Sequence, residues 1–156
     1  MALPQHLTIL SNPMAIWIAN TNEAAVPALV RSTGVLPSAD GSELTVFIPV
    51  VFSRDFCANL RERMPVTFMG TDVPTYLSFQ YKGYYKSIRP CTEEEIALQL
   101  AYLDAFTDQV AAIGFSKEGF YNSYAHQPSL AVTIEVTEVF DQTPYKGTGV
   151  SIAGGA

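Results

Sequence analysis

The fold is decided by residues 25–55, which read AVPALVRSTGVLPSADGSELTVFIPVVFSRD. Residues 25–32 and 44–52 are apolar runs of strand length, and the tight-turn signal at residues 38–41 (SADG) lets the second run fold back antiparallel. The second run is apolar on both faces. It therefore predicts a strand buried by a barrel interior on one side and by a helix or a second subunit on the other. Ser53 then begins a short helix, which Pro65 ends.

Similar patterns extend outward from this stretch in both directions. A short helix over residues 4–10 and an alternating strand over 14–19 precede it, and strands over 65–70, 77–82 and 130–137 follow it. The long strand continues past Gly83, where a glycine indicates a bulge or a close backbone approach. A capping box at Thr92 and Glu95, followed by apolar residues at helical spacing, predicts one long helix that ends at Gly114.

This order of elements selects the fold class. Three consecutive antiparallel strands exclude a doubly wound parallel sheet. Six strands with helices on the outside close into a small barrel, which also removes exposed sheet edges. The sequence therefore predicts a mainly β, single domain over residues 1–156: a six-stranded antiparallel β-barrel with one long and one or two short peripheral helices. The tail after about residue 141 is rich in Gly, Thr and Pro and is expected to be irregular.

Composition limits the possible functions. The chain has 156 residues, is 48% hydrophobic and 15% charged, and carries a formal charge of −6, which argues against nucleic-acid binding. No apolar run is long enough to span a membrane, and the N-terminus lacks the features of a signal peptide. Cys57 and Cys91 fit neither a disulfide framework nor a zinc site. We therefore expect a cytoplasmic protein without a nucleic-acid, membrane or metal partner.

The basic residues are unevenly distributed. Residues 54–89 hold six of the nine Lys and Arg residues and only three acids, so this segment carries about +3 and the rest of the chain about −9. Such a segment is either a set of solvated strand edges and helix ends or a local anion site. A phosphate-bearing ligand would need the second.

Side-chain catalysis has no visible machinery in this sequence. The Gly-x-Ser match that begins at Gly114 is one residue too long for a nucleophile elbow and follows a helix instead of a strand. His6 and His126 are isolated, and an isolated histidine in a loop is ordinarily a surface residue. Residues 93–95 are three glutamates that suit the positive end of a helix. The catalytic residues are therefore left unassigned.

One junction does have the chemistry of a binding site. Where the third strand passes into the short helix, the Ser53 hydroxyl, the free amides of the first helical turn and the Arg54 guanidinium can together hold a phosphate. The alternative is that Ser53 only caps the helix and Arg54 is solvated.

At residues 14–149 the sequence resembles the FMN-binding split barrels of the pyridoxamine 5'-phosphate oxidase-like family. The resemblance depends on the order and spacing of several pieces: residues 26–31 (VPALVR), 47–60 (FIPVVFSRDFCANL), 65–66 (PV), 82–83 (KG) and 141–144 (DQTP). It implies a split β-barrel and a homodimer with two FMN sites at the subunit interface. The activity it implies is that of an FMN-dependent oxidoreductase acting on a small-molecule substrate that the sequence does not name.

The resemblance also implies the residues of the cofactor site. Ser53 and Arg54 match the serine and arginine that bind the flavin phosphate, and Arg31 is the candidate basic residue on the second strand. Ser78 lies where the long strand contributes a polar side chain toward the cofactor. The family's substrate-binding basic and histidine residues have no counterpart near the C-terminus, so oxidation of pyridoxamine phosphate is not expected. Replacing Arg54 by Ala is expected to abolish flavin binding.

Two alternatives follow from departures within this resemblance. The negative charge of Asp55 opposes a phosphate, and Pro49 replaces a residue that usually supplies a hydroxyl and an amide. These changes favour a split-barrel dimer that has lost FMN and binds haem, a deazaflavin or a small metabolite without catalysis. A purely structural dimer would have the cleft beside Ser53 filled by side chains such as Tyr121 or Tyr124. The aromatic loop at residues 115–124 either covers a ligand or packs on the barrel.

Overall fold

A computed structural model describes residues 4–145 and 148–154. Its main elements, in chain order, are α1 (Gln5–Thr8), β1 (Met14–Thr21), β2 (Pro27–Arg31), β3 (Gly34–Pro37), β4 (Glu43–Pro49), α2 (Arg54–Ala58), β5 (Pro65–Asp72), β6 (Ser78–Pro90), α3 (Glu93–Ala112), α4 (Lys117–Tyr124), β7 (Ser129–Asp141) and β8 (Val150–Gly154). Short 3₁₀ turns follow α1 at Ile9–Ser11 and β4 at Val50–Phe52.

The strands form one antiparallel sheet that curls into a split barrel, which confirms the predicted fold class. The strand order is β2-β1-β5-β6-β7-β4-β3, and β8 pairs with β7. The two ends of this order, β2 and β3, are consecutive in the chain. The residues that connect β2 to β3 link the two ends of the sheet. The Ser32 amide donates to the Ile16 carbonyl of β1, and the Thr33 amide donates to the Phe47 carbonyl of β4. Counted as one bent strand, β2 and β3 leave six strands on the main path of the sheet, the predicted number, and β8 is a seventh that lies off this path.

The barrel interior is filled by side chains that alternate along the strands. On β1, Met14, Ile16 and Ile18 point inward and are at most 2% exposed. Their counterparts on the other strands belong to the same buried cluster, which includes Phe68 of β5 and Tyr81 of β6. Burying such side chains supplies the main driving force for the fold. Gly83 marks a register shift between β6 and β7, and a side chain there would collide with the Glu135 carbonyl oxygen. The expected close backbone approach is confirmed.

The outer surface of the sheet divides into two unequal parts. Ala15 and Val73 lie beneath a second buried cluster that joins α3 to α4 and includes Leu103 and Phe106. We call this part the covered face. The open face is made by Trp17 of β1, Leu29 and Arg31 of β2, and Phe52 of the turn after β4, which together line a cleft. Leu29 is 65% exposed and Phe52 is 47% exposed, so apolar side chains remain uncovered there.

The long helix α3 begins and packs as its sequence predicts. Thr92 and Glu95 form the predicted capping box. Inside the fold, the Thr33 hydroxyl donates to the Gln99 side-chain oxygen at 2.7 Å, and the Gln99 amide group donates to the Glu95 carbonyl. Gln99 is fully buried, and its side chain and that of Phe47 both lie beside the backbone of Gly34. Phe47, on the second face of β4, is only 1% exposed within this single chain.

Three sequence predictions are wrong. The run at residues 44–52 is not one strand, because β4 ends at Pro49, which has no amide hydrogen for the ladder, and a 3₁₀ turn follows. The stretch at residues 115–124 is not a loop: residues 117–124 form α4, whose cap is the Ser116 hydroxyl, and packing against α3 outweighs its weak helix propensity. The tail after residue 141 is not wholly irregular, since β8 pairs with the end of β7. Within the described residues, no helix is long and apolar enough to cross a membrane.

Candidate functional site

The cleft on the open face has a volume of about 390 Å³ and is lined by Trp17, Leu29, Arg31 and Phe52. Trp17 and Arg31 meet there because β1 and β2 place them opposite each other in the ladder, and both project from the outer side of the sheet. Phe52 reaches the same place because the 3₁₀ turn ends the run of β4. The result is a cation beside two aromatic rings. The volume of the cleft lies within the range of small-ligand pockets.

Arg31 is the charged group of this cleft, and among the described residues it has no ion-pair partner and no hydrogen-bond partner at Nε. Its Nε atom is buried and has no hydrogen-bond partner among the described residues. No ion pair in the described part of the chain includes Arg31. Its guanidinium instead stacks on the ring of Tyr124, with Cζ 3.9 Å from the ring centroid. A buried donor without an acceptor costs free energy, so an anionic ligand bound by Arg31 would offset that cost.

His126 lies near the site because its ring contacts Phe52 of the cleft wall. The ring of His126 meets that of Phe52 edge-on, with the centroids 5.0 Å apart. His126 is half-buried, and its backbone amide donates to the Tyr124 carbonyl. The sequence interpretation treated this histidine as an isolated surface residue. The fold instead brings it to the aromatic wall of the cleft.

Ser53 lies in the turn directly after Phe52, but its hydroxyl faces the chain. The side chain is buried, and the Ser53 Oγ atom donates to the Val50 carbonyl at 3.0 Å. It makes no capping hydrogen bond to α2, so the alternative in which Ser53 caps this helix by its side chain is wrong. The preceding 3₁₀ turn supplies the Val50 carbonyl as an acceptor, and the Ser53 hydroxyl donates its hydrogen bond to it. A phosphate at this turn would need the hydroxyl to rotate.

Arg54 and Asp55 follow on the surface. Both are exposed, and α2 is only five residues long, so it offers little more than one helical turn of amides. Arg54 has no carboxylate within ion-pair distance among the described residues. The turn therefore presents one free cation with one carboxylate beside it in sequence.

Ser78 lies apart from the cleft, at the start of β6. It pairs in the ladder with Thr71 of β5, which in turn pairs with Ala15 of the covered face. The Ser78 hydroxyl donates to the Tyr76 carbonyl at 2.9 Å and lies 2.9 Å from the Thr71 hydroxyl. The position level with Trp17 on β6 is that of Gln80, because Trp17 pairs with Met69 and Met69 pairs with Gln80.

The basic segment at residues 54–89 does not form a single anion site. Three of its cations pair with carboxylates and a fourth lies over an aromatic ring: Arg63 with Glu135, Lys86 with Glu43, Arg89 with Glu95, and Lys82 over Phe140. These four residues therefore fit the first interpretation of the segment, in which its cations lie at solvated strand edges and helix ends. Over residues 4–145 and 148–154, no group of three or more His, Cys, Asp or Glu side chains has the geometry of a metal site.

Sequence reasoning missed most of the cleft wall. Trp17 and Leu29 are ordinary outward positions of alternating strands, and only the curl of the sheet brings them to Phe52. Tyr124 was considered only as a side chain that fills the cleft beside Ser53. The available signal was that Trp17, the one tryptophan of the chain, occupies an outward strand position, where a large aromatic side chain needs a partner.

Solved structures share this architecture along most of its length. A candidate pyridoxamine 5'-phosphate oxidase from Lactobacillus delbrueckii aligns with a TM-score of 0.51 and 14% identity, over 88% of this chain and 93% of that one. An FMN-binding protein from Syntrophomonas wolfei gives a TM-score of 0.52 and 11% identity, over 90% and 85%. An F420 reductase gives 0.51 and 14%, over 88% and 98%.

The chain has the split β-barrel fold of the pyridoxamine 5'-phosphate oxidase-like proteins. At 11–14% identity these similarities concern the fold and not the ligand. No protein-family profile and no curated protein sequence matches the chain.

Proposed function

We propose that the protein binds FMN in the cleft of the open face and acts as a flavin-dependent oxidoreductase on a small molecule. The observation that carries the proposal is Arg31, a partly buried cation without a hydrogen-bonding partner at its Nε atom, beside an aromatic wall. A flavin mononucleotide has the matching parts, because it joins a dianionic phosphate to a planar ring. One FMN-binding protein with the same fold adds support.

The residues of the cleft fit this cofactor in part. Arg31, with Arg54 at the adjoining turn, would hold the phosphate, and Trp17 and Phe52 would contact the ring. The Ser53 hydroxyl fits only after it leaves the Val50 carbonyl, and Ser78 is engaged elsewhere. When bound, FMN would supply the electron transfer, and the chain would bind it, orient it and exclude water.

A second copy of the chain would complete the site. Leu29 and Phe52 of the cleft wall, together with Val26, Val50 and Val51 close to them in sequence, are apolar and each between 41% and 65% exposed. Exposed apolar residues grouped in this way are typical of an interface. We propose a homodimer whose interface borders both cofactor sites. The free thiols of Cys57 and Cys91 suit a reducing compartment, so we propose the cytoplasm.

A test of the proposal is FMN titration of the purified protein, followed by flavin absorbance after gel filtration. We expect about one FMN per chain and an affinity about a hundredfold lower in Arg31→Ala, since hydrogen bonds between charged groups contribute about 1.5–3 kcal/mol. Because Arg54 is exposed, Arg54→Ala should lower the affinity only about tenfold and not abolish binding as the resemblance implies. The matched control is Arg61→Ala, another exposed arginine without an ion pair among the described residues, which should bind like the wild type. Protein that takes up no added FMN would refute the proposal.

One observation favours a second candidate. The Ser53 hydroxyl is bonded to the chain and Asp55 adds a negative charge beside Arg54, so the turn is a weaker phosphate site than the resemblance implies. A planar anion held by Arg31 alone would fit as well, and an F420 reductase shares the fold. This candidate is a split-barrel dimer that binds a deazaflavin, haem or a small metabolite without catalysis. Titration with F420, hemin and FMN separates the two candidates, because each predicts a different ligand to bind most tightly. The ligand that binds most tightly must also lose affinity in Arg31→Ala, which shows that it occupies this cleft.

A further inference from the structure

Tyr124 is the side chain that fixes the orientation of Arg31. The guanidinium lies over the ring with Cζ 3.9 Å from the centroid, well inside the range of a cation–π contact. A guanidinium stacked on a ring by one face keeps its edge, which carries the N–H donors, free for an anion. Among the described residues, no carboxylate forms a salt bridge with this cation.

Tyr124 is itself held rigidly by the helices of the covered face. It is 6% exposed, and its ring lies 5.4 Å from Phe106 of α3 and 6.1 Å from Phe120 of α4, centroid to centroid. Burial raises the pKa of Tyr124, so the ring stays neutral at physiological pH. A neutral, immobile ring is suited to hold a long, flexible arginine in one rotamer.

The ends of α4 are also tied to α3. The Lys117 Nζ atom lies 2.9 Å from an Asp104 oxygen and 2.6 Å from an Asp108 oxygen. The helix pair is thus anchored at Lys117 by charge and at Tyr124 by aromatic packing. The covered face reaches the open face through the contact of Tyr124 with Arg31.

We propose that Tyr124 is a positioning residue, which presents the Arg31 guanidinium to the phosphate of the ligand. The proposal rests on the proposed function, in which Arg31 binds that phosphate. Immobilising a long side chain before binding removes part of the entropy cost that the complex otherwise bears. Tyr124 therefore acts on the preference for a phosphorylated ligand, and it has no direct part in binding the flavin ring.

The experiment compares FMN with riboflavin, which has the same ring and no phosphate. The ratio of the two dissociation constants isolates the phosphate contribution and is insensitive to general loosening of the fold. It is measured for wild type, Arg31→Ala, Tyr124→Phe and Tyr124→Leu, with Tyr124→Met in place of the leucine variant if that does not fold. Leu103→Ala is the matched control, because Leu103 lies in the same buried cluster and is not one of the two rings that pack on Tyr124.

We expect FMN to bind more tightly than riboflavin in the wild type, and the preference to fall about tenfold in Tyr124→Leu, the size of one cation–π contact. Tyr124→Phe keeps the ring and should preserve the ratio within about twofold. Leu103→Ala should lose stability and keep the ratio. This pattern would support the proposal.

Three results would overturn it. If Arg31→Ala loses the preference while Tyr124→Leu keeps it, Arg31 binds the phosphate without help and only the role of Tyr124 is refuted. If Tyr124→Leu binds FMN more tightly, the tyrosine obstructs the cation instead of presenting it. If the wild type shows no preference for FMN over riboflavin, both this role and the proposed function fail.

Discussion

The covered and open faces of the same sheet have opposite surroundings. On the covered face, Ala15 lies under a buried cluster that includes Phe106, which is 2% exposed. Two residues along the same strand, Trp17 lies in a cleft whose wall at Leu29 is 65% exposed. Both side chains point outward from β1, so the difference does not come from the strand. It comes from how far α3 and α4 extend over the sheet, because α4 ends at Tyr124, beside Arg31.

The exposure of the open face is a consequence of the architecture. The helices cover the part of the sheet where small residues such as Ala15 permit close approach. They leave uncovered the part that carries a cation and large aromatic side chains. A covered surface contributes stability, while an open surface with these side chains is suited to binding.

The largest expected effect is on stability and separates the two faces. Phe106→Ala should lower the free energy of unfolding by about 3–5 kcal/mol, because it leaves a cavity in a closed cluster. Phe52→Ala, on the open face, should cost less than about 1 kcal/mol because the ring is 47% exposed. Urea denaturation of the two variants measures both values. Equal losses would mean that the faces do not differ in packing.

The next effect is on association. Leu29→Asp should raise the dimer dissociation constant about a hundredfold, since a polar group buried without a partner costs on the order of 3 kcal/mol. Ile113→Asp is the control, because Ile113 is 56% exposed at the end of α3 and away from the cleft. Sedimentation velocity over a range of concentrations gives both constants. A wild-type monomer, or a Leu29→Asp dimer as tight as the wild type, would refute the open-face interface.

A smaller effect tests how α3 is attached to the barrel. Gln99→Leu should cost about 1–3 kcal/mol, because it removes both buried hydrogen bonds of that side chain, to Thr33 and to Glu95. Adding Thr33→Val should recover part of this loss, since the hydroxyl left without Gln99 is then removed as well. Urea denaturation of the single and double variants measures the coupling. Strict additivity would show that the Thr33–Gln99 hydrogen bond does not anchor the helix.

The smallest effect depends on pH. A hydrogen bond from Arg89 holds the pKa of Glu95 below its usual value of 4.5. A carboxylate with a lowered pKa in the folded state stabilises the fold above its unfolded pKa, and that stabilisation is lost as pH falls through the folded pKa. Glu95→Gln should therefore cost about 0.5–1 kcal/mol at pH 7 and almost nothing well below pH 4.5. A cost that does not change with pH would assign the effect to the helix cap alone.

Much of the fold could be predicted from local patterns. The alternation of β1 and β7, the capping box of α3 and the glycine at residue 83 each have a local physical cause, and each is confirmed. The errors arose where tertiary contacts decide the outcome. Helix α4 forms because Tyr124 packs against Phe106, a contact between residues that no local pattern relates.

The candidate site was predictable only in part. The resemblance named Arg31, which lines the cleft, and Ser53 and Arg54, which adjoin Phe52 of its wall. It could not give the orientation of the Ser53 hydroxyl, because that depends on the 3₁₀ turn after Pro49. Ser78 remains a prediction, in a position level with Thr71 instead of Trp17. The stacking of Tyr124 on Arg31 depends on α4 and was beyond sequence reasoning.

The central claim is that the cofactor binds at the Arg31 cleft of the open face. Because Trp17 is the only tryptophan of the chain, its indole N–H gives a single resonance from the wall of that cleft. We predict that FMN added to nitrogen-15-labelled protein shifts this resonance, that the shift saturates near one FMN per chain, and that Arg31→Ala requires far more FMN. Saturable FMN binding that leaves the Trp17 resonance unmoved would contradict the account.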